Sequence, residues 1–123
     1  ITRRLTAFLS YIITKTMYQE STLQKLSEYQ KGQLIYCTGC KNYTIYHGTF
    51  CITFGDPELR KFFSMLMKLD PDSYNIPMGG QNYVVISHPN VKMGLFLTPE
   101  DTSAILQLIG QGQLFEQAIN ILQ

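Results

Sequence analysis

The spacing of apolar positions changes along this chain, and the changes mark out its elements. From Leu34 to Phe54, "LIYCTGCKNYTIYHGTFCITF", apolar and polar residues alternate with a period of two, the mark of half-buried strands. "CKNYTIY" and "TFCITF" flank "HG", which predicts a hairpin. With His47-Gly48 as its turn, Ile45 faces Phe50, Thr44 faces Cys51 and Tyr43 faces Ile52. One face then collects Tyr43, Ile45, Phe50, Ile52 and Phe54, and the other Asn42, Thr44, Tyr46, Thr49, Cys51 and Thr53. That separation is what an antiparallel sheet with one buried side needs. A two-residue turn at Thr38-Gly39 would place Cys37 opposite Cys40 and add Leu34 and Tyr36 to the apolar face. Upstream, "STLQKLSEYQKGQLIYC" (Ser21 to Cys37) reads as a first hairpin, turning at "YQKGQ" with Gly32 free to take a positive φ.

Beyond Phe54 the period lengthens. "GDPELRKFFSMLMKLDP" predicts a helix with Asp56 as N-cap, Pro57 at the first helical position and Glu58 at the positive end of the dipole. Leu59, Phe62, Phe63, Leu66 and Leu69 form its buried stripe, and the methionines Met65 and Met67 read as packing on the same helix. "DPDSYNIPMGG" ends it and "IPMGGQNY" reads as a connector. "NYVVIS" and "VKMGLFL" around "HPN" predict a third hairpin. "TPEDTSAILQLIG" repeats the start signal, with Thr98 as cap and a helix ending at Gly110, and "QLFEQAINIL" predicts a last short helix. The expected fold is α+β: antiparallel β-hairpins packed with helices, as two ββα-like units sharing one core.

The first twenty residues stand apart. Leu5, Phe8, Leu9, Ile12 and Ile13 keep helical spacing, which favours an amphipathic N-terminal helix. Arg3-Arg4 ahead of the apolar run also has the layout of a signal peptide, but no small-x-small cleavage site follows. The run is too short for a membrane span, which needs about 20 apolar residues. A third reading makes Met17 the natural start and the preceding residues a non-native extension. The expected organisation is therefore residues 1–20 as a helix or extension and 21–123 as one α+β domain.

The chain has 123 residues with ten basic and nine acidic side chains, for a net charge of +1. The lysines are scattered and form no basic stripe, so nucleic acid is disfavoured as a partner. Three cysteines are too few, and odd in number, for the disulfide framework of a secreted mini-protein. Free thiols in a reducing, cytoplasmic setting are the simpler expectation.

"YCTGCKNY" carries the candidate chemistry. Cys37 and Cys40, with Gly39 just before the second, have the outline of a zinc knuckle, and their sulfurs could reach one metal. A structural zinc needs four ligands, and a second CxxC or HxxxH is missing. Cys51 and His47 do not complete the set. Cys51 pairs with Thr44, four residues along the strand from Cys40 and so roughly 13 Å away. A full site would draw on another hairpin or on a second chain's own pair. Opposed cysteines could also form a disulfide, although catalytic CxxC pairs usually gain their low pKa at a helix N-terminus, and here a strand follows. Plain turn residues, metal ligands and a redox pair all stay open. His47 and His88 fall in predicted turns, where solvated histidines are the rule. The acidic residues Asp56, Glu58, Glu100 and Asp101 are explained by capping. No GxSxG, P-loop or GxGxxG motif is present, so nothing points to an enzyme.

"TLQKLSEYQKGQLIYCTGCKNYTIYHGTFCITF", a helix, and "IPMGGQNYVVISHPNVKMGLFLTPEDTSAILQLI" together resemble a family of small uncharacterised Bacteroidota proteins, a domain of unknown function with a CxxC hairpin. The likeness runs from about Thr22 to the end and leaves residues 1–16 outside. It implies a cytoplasmic protein with no assigned activity, and carries over Cys37 and Cys40 as a motif without an established role. The expectation is a small interaction or structural domain, with zinc at Cys37 and Cys40 as the candidate metal and an unknown protein or a second copy as partner. A thiol-disulfide redox protein using the same pair is the alternative.

Overall fold

In the computed structural model, residues 22–88 and 94–122 are described; the expectations for residues 1–20 and for the "PN" of the third turn lie outside them. Four strands, β1 (Leu23–Tyr29), β2 (Gly32–Cys37), β3 (Asn42–His47) and β4 (Phe50–Gly55), form an antiparallel meander in chain order. Helix α1 (Asp56–Met67) follows, then a 3-10 turn (Pro71–Ser73). A second antiparallel sheet comprises β5 (Ile76–Met78), β6 (Gln81–Ser87) and β7 (Gly94–Leu97), and helix α2 (Pro99–Leu122) completes the chain. The fold is α+β, and each sheet ends in a hairpin that runs straight into a helix.

One hydrophobic cluster joins these parts. It takes Leu34, Tyr43, Ile45, Ile52 and Phe54 from the meander, and Leu59, Phe62 and Leu66 from α1. Val84, Ile86 and Leu97 come from the second sheet, and Ile105, Leu108 and Ile109 from α2. Phe54 stacks on Phe62 with ring centroids 4.7 Å apart.

The apolar and polar faces of β3 and β4 are those the alternation predicts, but the turn register differs. Ile45 faces Ile52, Thr44 faces Thr53 and Tyr43 faces Phe54, because the loop is Gly48-Thr49 rather than His47-Gly48. Gly48 has φ +59° at the first loop position, where a type II′ turn requires glycine. Each partner moves by two residues, so every side chain keeps its face. Cys51 accordingly lies on the exposed side, opposite the buried Ile52 and Phe54. The β2–β3 turn also differs: it holds four residues, and Cys37 faces Asn42, not Cys40.

In the first hairpin Gln30 takes the positive φ (52°), and Gly32 is a strand residue facing Tyr29 and His47. Glycine is needed there for space. A Cβ would fall 2.7 Å from the Tyr46 carbonyl oxygen and 2.9 Å from Leu108 Cδ1. A register shift between Lys25 and Ser27 turns the consecutive residues Leu26 and Ser27 both toward α2. Ser27 Oγ donates to the Leu108 carbonyl at 2.6 Å.

The helices correct three expectations. The N-cap of α1 is Gly55, with no side-chain cap, and Asp56 instead pairs with Arg60 at 2.9 Å one turn on. Gly55 leaves the space that the Glu58 carboxylate occupies. Met65 packs against the core, whereas Met67 is exposed. The C-terminal helix neither stops at Gly110 nor restarts at Gln113; it runs unbroken through Gly110 and Gly112. A Cβ on Gly112 would sit 2.5 Å from Leu34 Cδ2, so this glycine lets the helix lie close on β1 and β2. At the start of α2, Thr98 caps as predicted. Its Oγ1 accepts the Asp101 N–H and its own N–H donates to Asp101 Oδ2, both at 3.1 Å, a reciprocal capping box.

The connector "IPMGGQNY" is itself a hairpin, with φ +56° and +80° at Gly79 and Gly80, the type I′ signature. Among the described residues, no helix is long and apolar enough to cross a membrane.

Candidate functional site

The Cys37–Cys40 turn is shaped by its backbone. Lys41 N–H donates to the Cys37 carbonyl at 2.7 Å, closing the loop, and Lys41 adopts φ +60° to re-enter β3. Thr38 N–H donates to the Thr22 carbonyl at 2.8 Å, which anchors the turn to the start of β1. Cys40 N–H donates to Cys37 Sγ at 3.1 Å. All three cysteines are free thiols; Cys37 is half-buried, while Cys40 and Cys51 are exposed.

The two thiols of the turn are set apart electrostatically. Burial alone would raise the Cys37 pKa. Hydrogen bonds from the Cys40 side chain and from the N–H groups of Cys40, Gly39 and Lys41 outweigh it and hold the thiol below its ordinary value. Cys40 moves the other way, raised by its hydrogen bond to Cys37, by the charge there, and by desolvation. The one backbone donor placed on the sulfur is the Cys40 N–H, so the turn itself supplies a partner to Cys37 Sγ. The sequence suggested no such contact because it reads as a strand following a turn. The two-residue turn read from the sequence is too short for it, whereas the observed four-residue turn brings an amide back onto the first sulfur.

Cys51 and His47 do not join this pair. Cys51 faces Tyr46, four residues along β3 from Asn42, roughly 13 Å at the usual strand rise. His47 lies at the opposite end of β3 from the turn. Among the described residues, no group of three or more His, Cys, Asp or Glu side chains is placed to hold a metal ion.

Neither histidine is a solvated turn residue. His47 is a strand residue with its side chain 13% exposed, and its Nε2 lies 3.1 Å from Asp101 Oδ1. Its Nδ1 is buried without a hydrogen-bond partner. Burial opposes ionisation of Asp101, but the Thr98 N–H, His47 and the Thr98 hydroxyl outweigh it and hold the carboxyl below its ordinary value. His88 stacks on Phe54, ring centroids 5.0 Å apart and planes nearly parallel, and its Nε2 lies 3.2 Å from the Thr53 carbonyl oxygen.

Two of the clefts on the surface carry acidic side chains. One of about 650 Å³ opens at the start of α2, beside Tyr83, Asn82 and Glu100. The other, about 500 Å³, lies between α1 and α2 over Leu34 and Leu59. There Tyr43 donates to Glu116 Oε2 at 3.0 Å, and burial followed by that carboxylate holds its phenol well above the usual range. Asp101 and Glu116 are both engaged by neighbours, so neither cleft presents a free catalytic carboxylate pair.

No curated protein and no solved structure matches the chain. The model of a family of unknown function, DUF6686, matches residues 17–120, and the chain belongs to that family.

Proposed function

We propose that this is a small non-enzymatic binding domain whose Cys37–Cys40 turn ligates a soft metal. The observation that carries the reading is the Cys40 N–H bond to Cys37 Sγ at 3.1 Å. A backbone donor aimed at sulfur stabilises the thiolate, the form that binds metal. The turn supplies two ligands. A four-coordinate ion such as zinc would take the rest from outside it, most simply from a second copy's Cys37 and Cys40. The reading supposes a reducing compartment, where both thiols stay free.

The test is elemental analysis with native mass on protein purified without chelator, comparing wild type with the C37S/C40S double variant. Stoichiometric metal in wild type, lost in the variant, supports the reading. Equal metal content in the two, or none in wild type even after reconstitution with zinc or copper(I), overturns it.

A redox reading draws on the same contact, since a backbone donor on Cys37 Sγ favours the thiolate that attacks a disulfide. It requires a reversible disulfide within one chain, detected by mass after equilibration in glutathione buffers.

A further inference from the structure

We propose that a second copy of this chain docks on the C-terminal half of α2, helix against antiparallel helix about a two-fold axis near Ala118. This stands apart from the metal-binding reading. The observation behind it is an inverted helix. Up to Gly112, α2 turns Ile105, Leu108 and Ile109 into the core. Beyond it, Gln113, Glu116, Gln117 and Asn120 line the cleft facing α1. Leu114 and Ile121 are instead 67% and 81% exposed, with Phe115 and Ala118 exposed between them. A surface helix ordinarily does the opposite. Leu114, Ala118 and Ile121 are four and three residues apart, the spacing of a helix–helix seam. A grouped apolar surface of this kind marks an interface.

Charge selects the occupant. Between Thr102 and Leu122 the sole charged side chain is Glu116, which accepts from Tyr43 on the cleft side. A helix lying on an anionic membrane carries Lys and Arg along its polar face, and this stretch carries neither. A specific unlike partner is ordinarily steered and set in register by complementary charge, which the stripe does not offer. In a two-fold contact the same patch meets itself, so any charge in it would face its like, and an uncharged stripe suits that arrangement. Antiparallel pairing about Ala118 sets Leu114 beside the partner's Ile121, and the small alanine at the axis lets the backbones approach. The net charge of +1 adds little repulsion between copies. The stripe spans about 10 Å of helix, which is small beside a permanent interface, so the dimer dissociates on dilution.

The experiment is sedimentation velocity on the full chain from about 10 µM to about 1 mM, the weak end of the affinity scale. Wild type should pass from monomer to dimer over that range. A118E and A118K, folded by circular dichroism, should each stay monomeric. An equimolar mixture of the two should dimerise again, because unlike charges then meet at the axis. C37S/C40S should dimerise like wild type. A wild type that stays monomeric overturns the proposal, whether hydrogen exchange finds the stripe open, as for a different protein partner, or protected, as under another part of this chain. Monomeric single variants with no rescue in the mixture overturn it too. So does a dimer that survives both variants, that is abolished by V85K on the second sheet, or that needs Cys37 and Cys40, since each places the contact elsewhere.

Discussion

Asp101 makes three contacts with two residues: it accepts from the Thr98 N–H, gives its own N–H to Thr98 Oγ1, and meets His47 across from β3. Its carboxyl is more acidic folded than unfolded. The stability this contributes is therefore fully present above the unfolded value of about 3.9 and is lost as pH falls through the lower folded value. Urea midpoints for wild type and D101N should differ near neutral pH and draw together as pH falls below the unfolded value; a gap that widens in acid would contradict this account. T98A removes the acceptor for the Asp101 N–H and should cost about 1 kcal/mol. D56A, which loses an exposed pair with Arg60 and no cap, should cost about 0.5 kcal/mol. Thr98 was legible in the sequence because a capping box is local. His47 was not, because its role depends on the loop being Gly48-Thr49, which lengthens β3 by one residue and turns the imidazole toward a helix 54 residues further on.

At the scale of elements, Gly110 and Gly112 look alike in the sequence and differ in the fold. Nothing lies near a Cβ placed on Gly110, so G110A should stabilise the protein by up to about 1 kcal/mol through helix propensity. G112A gains the same propensity but drives a methyl to 2.5 Å from Cδ2 of Leu34, a buried side chain that then has to shift. Overpacking of that kind costs about 1–3 kcal/mol, so G112A should lower the melting temperature while G110A raises it. Gly110 predicts a helix stop on local grounds. The continuous α2 instead reflects burial of Ile105, Leu108 and Ile109 against the sheet, a tertiary gain that outweighs two weak helix formers. The β5–β6 hairpin was within reach of local reasoning, since paired glycines at a two-residue loop are its usual signal.

For the molecule as a whole, the fold class and the inward face of the meander could be read from alternation alone. That pattern survives a two-residue error in register, which is why Ile45, Ile52 and Phe54 are in the core although their predicted partners were wrong. The Cys37–Cys40 turn was legible as a motif, but its geometry was not, because amide positions depend on loop length rather than residue type. One described contact also bears on how the chain reaches this state. The Ser27–Leu108 hydrogen bond joins residues 81 apart in sequence, whereas the meander is built from strands joined by loops of two and four residues. Short-range contacts cost little closure entropy and long-range ones cost more, so the four-stranded meander is the part able to assemble early. Docking of α2 across β1 closes a much longer loop, so on closure entropy alone it is expected to follow the meander.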